Sequence, residues 1–149
     1  MLQDEGDVKG ECKCHGNIGV VQLALSNLGH ALKSFLEELE RARELRDTFL
    51  HANAQGHVGI VKLSMGRYDE AIACFEQQLA FLSHSGHERD RDKEMSQMEA
   101  KAHAHLASCY EHLKDFEEAC KCHLRCLQFA TLVSAYSDEE RAYRHLGKI

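Results

Sequence analysis

The chain has no proline and no tryptophan in 149 residues. Without proline no position is barred from a helix interior, which favours long helices. No stretch of about 18 consecutive apolar residues occurs, so a transmembrane helix is excluded. The opening residues, Met1-Leu2-Gln3-Asp4-Glu5-Gly6-Asp7, lack a basic end followed by an apolar run and do not read as a secretory leader. Basic residues are in deficit: Lys and Arg number 18 against 24 Asp and Glu, a net charge of −6. Nucleic acid is therefore not the expected partner, since phosphate binding needs a basic surface. What is present is an ordinary globular mixture, 44% hydrophobic and 28% charged, in a length that suits one domain with a sizeable core. Seven cysteines, an odd count without an export signal, read as reduced thiols in a reducing, cytoplasmic compartment.

The main signal is internal repetition. The segment from Gly66 through Tyr68, Ala71 and Phe75 to Leu79 recurs as Lys114, Phe116, Ala119, His123 and Leu127, and more weakly as Ser26, Leu28, Ala31, Phe35 and Leu39. Upstream, Ile18-Gly19, Val58-Gly59, Leu106-Ala107 and Leu146-Gly147 form a parallel series with steps of 40, 48 and 40 residues. Cys14, Ala54, Ala102 and Ala142 form another. Within a unit the spacing is helical. Tyr68, Ala71, Ile72, Phe75 and Leu79 make one stripe, Ala54, Val58, Val61 and Met65 a second, and Gly66 lies between as a turn. Each unit reads as helix A, tight turn, helix B, with small residues where two helices approach closely.

Leu-Gly on helix A, followed by Gly-x-Tyr-x-x-Ala and an aromatic on helix B, resembles the tetratricopeptide repeat. The second unit matches best, through Val58-Gly59, Gly66, Tyr68, Ala71 and Phe75. The third matches through Leu106-Ala107, Tyr110, Phe116 and Ala119, and the divergent first through Ile18-Gly19, Ala31 and Phe35. The usual step in that family is 34 residues. A step of at least 40 resembles its long-repeat subgroup, which includes the spindle-orientation adaptor LGN. The fold implied is all-α: a solenoid of antiparallel helix pairs, about three repeats plus the start of a fourth. The expected units are about 8–47, 48–86 and 90–136, with a partial unit over 138–149.

Three local features refine this expectation. The extra residues of the longer step fall near Ser83–Glu94, a stretch without an apolar side chain. It is either a long loop or a solvated extension of the next helix, with Gly86 as the break and helix 3A from about residue 90. Asp47 is placed to cap helix 2A, and Ser137-Asp138-Glu139-Glu140 has a capping-box pattern before a final helix. That helix lacks the one it should pack on. The chain then reads as a fragment or shortened form of a longer array, able to pair with itself through this exposed end.

Cys12-Lys13-Cys14-His15 and Cys120-Lys121-Cys122-His123 look like a metal pair. However, they occupy different helices of the repeat, and residues two apart on a helix point in different directions. His105, Cys109 and His112 share a helix face, but the sequence supplies no fourth ligand and Cys109 is a packing position. Most of the eleven histidines, such as His51, His84, His87 and His145, fall at expected surface positions. No phosphate-binding loop, nucleophile elbow or dinucleotide fingerprint is present. No metal, cofactor or catalysis is expected.

The resemblance implies a concave groove lined by helix A, binding a segment of a protein partner. Carrying the family's groove positions across gives Lys13, Asn17, Val20 and Ala24, then Asn53, His57, Ile60 and Ser64, then Lys101, His105, Ser108 and His112. The family's chaperone-binding members need Asn where Val20 and Ile60 stand and a basic residue where Gly16 and Gly56 stand. Of that clamp only Lys101 is matched. LGN-like members use an Asn just after Leu-Gly, where Val20, Ile60 and Ser108 stand here. The groove is thus more apolar, with His in place of Arg, and suits an amphipathic or apolar segment. Val20 and Ile60 are open to a second reading, as core of a tighter superhelix. The expected function is a non-catalytic adaptor or scaffold. The alternative is a structural oligomerisation element that self-associates through its terminal helix.

Overall fold

A computed structural model describes residues 5–84 and 93–146. Six helices run through them: α1 (Glu5–Ala24), α2 (Leu28–Leu45), α3 (Thr48–Ser64), α4 (Tyr68–His84), α5 (Lys93–His112) and α6 (Phe116–Leu146). No strand occurs among the described residues. The helices pair as α1–α2, α3–α4 and α5–α6, and α2 packs on α3 as α4 packs on α5. Helix α3 also touches both α1 and α5, whereas no contact joins α2 to α4 or α4 to α6 among the described residues. The A helices therefore lie side by side on the inner face and the B helices splay on the outer one. This is the expected all-α solenoid.

The turn inside each pair repeats one geometry. Ser26, Gly66 and Lys114, at equivalent repeat positions, all take positive φ, 61°, 79° and 66°. Each amide bonds the carbonyl three residues back: Ser26 to Leu23, Gly66 to Leu63, Lys114 to Glu111. The following amides of Asn27, Arg67 and Asp115 reach back five residues, to Gln22, Lys62 and Tyr110. This paired bonding satisfies carbonyls that a helix end leaves open, and the left-handed residue is the one glycine fits best. Between pairs, Arg46 closes α2 in the left-handed region (φ 54°), and Asp47 caps α3 as expected, its Oδ1 accepting from the Leu50 amide at 3.0 Å.

Helix α6 departs from the expected pattern. It runs 31 residues without interruption, and Ser137 lies inside it rather than capping a separate helix. The repeat explains this. At the positions of Arg46 and Asp47, which end α2 and start α3, the third unit has Ser134 and Ala135. Alanine cannot cap and favours helix, and neither glycine nor proline intervenes. The Gly86 break and a start of helix 3A near residue 90 lie outside the described residues.

The core follows the repeat. Phe35, Leu39 and Ala42 of α2 close on Ala54, Val58 and Val61 of α3. Ala71 and Phe75 of α4 close on Leu106, Ala107 and Cys109 of α5. Phe35 and Phe75 are the largest fully buried side chains. Burial of a ring of that size stabilises by about 1.5–3 kcal/mol.

Candidate binding groove

Two clefts open along the inner face and share a wall. The first, about 310 Å³, lies between α1, α2 and α3 and is lined by Lys13, Asn17, Val20, Glu38, Asn53 and His57, among others. The second, about 390 Å³, lies between α3, α4 and α5 and includes Phe49, Asn53, His57, Ile60, Met98, Lys101 and His105. Eight of the twelve groove positions thus converge, with Asn53 and His57 facing both clefts. Ala24, Ser64, Ser108 and His112 line neither. The His112 ring stacks on Tyr68 at 4.7 Å, and its Nδ1–H donates to the Ser108 carbonyl at 2.8 Å. Val20 is exposed on the cleft wall. Ile60 does both things asked of it: it packs on the core and lines the second cleft.

The floor of each cleft is built by an aromatic ring held between two helices. Phe35 lies against Gly19 of its own unit and stacks on His57 of the next, centroids 4.6 Å apart. Phe75 repeats this against Gly59 and His105, at 5.0 Å. A Cβ at Gly59 would stand 2.8 Å from the Phe75 ring, so the glycine is what lets the ring lie flat on the α3 backbone. Beside each ring sits a buried polar side chain, Glu38 in the first cleft and Gln78 in the second, seated over Gly16 and Gly56.

The polar partners then diverge. His57 Nδ1–H donates to Glu38 Oε1 at 2.8 Å, a charge-assisted bond with the carboxylate largely withdrawn from water. His105 has no carboxylate at that place. Burial pushes its pKa down and Lys101 adds to the effect, so its imidazole stays neutral near pH 7. Lys13 and Lys101 stand exposed at the two clefts, and Glu94 borders the second.

The remaining constellations do not assemble. Cys12 is buried, its thiol donating to the Glu38 carbonyl at 3.5 Å, while Cys14 is exposed; Cys122 is buried and Cys120 exposed. All seven thiols are free. Cys109 is sealed in the core, where burial pushes its pKa up to about 11, while His105 and His112 stack on rings of α4. No cluster of three or more metal-ligating side chains occurs among the described residues. His51, expected at the surface, is half-buried against Phe81 at 4.0 Å, and burial lowers its pKa. The side chains of His84, His87 and His145 lie outside the described residues.

Sequence reasoning missed Phe49, Gln97 and Met98, which enter the groove from the first turn of α3 and the second turn of α5. Phe49 and Asn53 are four apart, as are Gln97 and Lys101, so the helical period carried the signal. Glu38 and Gln78 were missed because they lie on helix B and reach the groove only across a glycine.

The tetratricopeptide repeat family model matches residues 61–92 and 102–131. The crystal structure of the TPR domain of Arabidopsis FLU is similar, with a TM-score of 0.73 at 25% identity, over 84% of this chain and 98% of that one. BtubC (BKLC) from P. vanneervenii is similar in fold, with a TM-score of 0.70 at 20% identity, over 84% of this chain and 48% of that one. No curated protein sequence matches the chain significantly. Two segments of the chain thus match the tetratricopeptide repeat model, and the helix pairs share the fold of a TPR domain; that family ordinarily serves protein–protein interaction.

Proposed function

We propose that this chain is a non-catalytic adaptor module that holds an amphipathic protein segment along the inner face of α1, α3 and α5. The observation that carries this reading is the convergence of residues from three A helices into two clefts with a common wall at Asn53 and His57. Val20, Ile60, Phe49 and Met98 offer apolar contact. Asn17, Asn53 and Gln97 offer amide hydrogen bonds, and Lys13 and Lys101 offer charge at either end. A segment with one apolar face and acidic flanks meets all three. Such a partner is protein rather than nucleic acid. Among the described residues no helix is long and apolar enough to cross a membrane. The seven free thiols suit a reducing, cytoplasmic setting, and the repeat step of at least 40 residues favours the long-repeat subgroup.

The test is a selection of peptides from a random library on the wild-type chain, followed by titration against Asn53→Ala, Lys101→Glu and Lys13→Glu. Selected peptides should lose about tenfold or more in affinity on the Asn53 variant, which touches both clefts. Peptides that bind all three variants as well as wild type would sink the reading.

A second reading, self-association, is favoured by a separate observation: Phe116, Leu124 and Leu127 stand exposed on α6, which among the described residues packs on α5 alone.

A further inference from the structure

The repeat makes the two ends of the array comparable with its interior, position by position. In α3 and α5 the face that receives the preceding B helix is closed: Val58 and Leu106 are 3% and 5% exposed, and Val61 and Cys109 are fully buried. The same positions in α1 are Ile18 and Val21, 49% and 57% exposed, with exposed Cys14 and Leu25 continuing the stripe. At the other end, Leu39 of α2 is 6% exposed, and its counterpart Leu127 of α6 is 62% exposed. Ala42 and Leu82 are buried where Ala130 is exposed, and Phe116 is exposed where Tyr68 is half-covered.

These two open faces are the two halves of one interface. A B helix packs forward through the positions of Leu39 and Ala42, and an A helix receives it through those of Ala54, Val58 and Val61. Helix α6 presents the forward half and α1 the receiving half. None of Cys14, Ile18, Val21, Leu25, Phe116, Leu127 or Ala130 is charged, although α6 carries Glu117, Lys121 and Arg125 nearby. At the place of Phe35 and Phe75, α6 carries His123, exposed and bonded to Glu111 at 2.6 Å, so the open face keeps the apolar stripe but not the stacked ring; burying that stripe removes apolar surface from solvent.

We propose that the occupant of each open face is a second copy of this chain, with α6 of one copy packed on α1 of the next as α2 packs on α3. This rests on the self-association reading and gives it a geometry. Because the two faces differ, the contact is head-to-tail and does not close on itself, so copies add in sequence and extend the inner groove from one chain to the next.

The experiment is light-scattering mass over a concentration series for the full chain, for Val21→Asp, for Leu127→Asp, and for an equal mixture of the two variants. Both substitutions fall on exposed side chains, and a helical circular dichroism spectrum with an unchanged melting temperature checks the fold. Wild type should grow in mass with concentration past the dimer. Each variant alone should stay at 16.9 kDa. The mixture should form a 1:1 dimer, because one chain keeps an intact α6 face and the other an intact α1 face. A wild-type dimer that one substitution abolishes and the other leaves intact would overturn the head-to-tail geometry while leaving self-association standing. A wild-type monomer at all concentrations would overturn both, and neither result touches the groove.

Discussion

At the α2–α3 junction, Phe35 lies on Gly19, stacks on His57, and has Glu38 beside it; at the α4–α5 junction, Phe75 lies on Gly59, stacks on His105, and has Gln78 beside it. Ring, glycine and imidazole recur at equivalent repeat positions. The buried polar side chain changes, as does the A-helix position that is Asn53 in one unit and Lys101 in the next, and with them the electrostatics. In the first cleft a carboxylate accepts the imidazole N–H. In the second the imidazole is held neutral by burial next to Lys101. The packing elements answer to the fold, since a ring sandwiched between two helices leaves no freedom of size. The polar neighbour is free to vary because it faces the groove, and it makes two chemically distinct clefts from one scaffold.

The largest test of the shared packing is to remove the rings. Phe35→Ala and Phe75→Ala should each cost about 3–5 kcal/mol, read from urea unfolding. Near-equal losses would support equivalent junctions, and a loss under about 1 kcal/mol at either would break the comparison. The polar difference comes next. Glu38→Gln makes the first junction resemble the second and should cost about 1.5–3 kcal/mol, the range for a hydrogen bond to a charged group. Gln78→Glu makes the converse change and should raise the His105 pKa, followed by NMR titration of its ring protons.

Protonation sharpens the same contrast. Burial lowers the pKa of His51, His103 and His105 in the folded chain. The unfolded chain, with histidine near about 6.5, then takes up protons first. The stabilisation is complete above that pH and is lost as pH falls below it. The melting temperature should decline from pH 7 toward pH 5, and His105→Asn should flatten part of that decline. A His105→Asn profile as steep as wild type would contradict the burial assignment. The smallest effect concerns the turns. Lys114→Gly should stabilise by about 0.5–1 kcal/mol and Gly66→Ala should destabilise by a similar amount, because both positions have positive φ.

The helix pairs were legible in the sequence because their cause is local. The stripe Tyr68, Ala71, Ile72, Phe75 and Leu79 is a helical period, and Asp47 is a cap wherever it stands before a helix. The end of the third unit misled for a related reason. Ser137 and Glu140 form a capping box only if the chain has already left the helix, and Ala135 gives it no reason to leave. Most of the groove could be read from A-helix positions, since facing residues on parallel A helices keep one register. Glu38 and Gln78 could not, because their route to the groove depends on Gly16 and Gly56 lying across from them in space. His112 stacks on Tyr68 of α4 rather than lining a cleft, which helix periodicity alone does not show.

The most direct measurement is amide NMR shift mapping of the chain with a selected peptide added in steps. Binding in the groove predicts the largest shifts at Asn17, Asn53, His57, Lys101 and His105, with little change on the outer helices α2 and α4. Shifts centred on Ile18 and Val21 of α1 or on Leu124 and Leu127 of α6, with Asn53 and His57 unmoved, would contradict it.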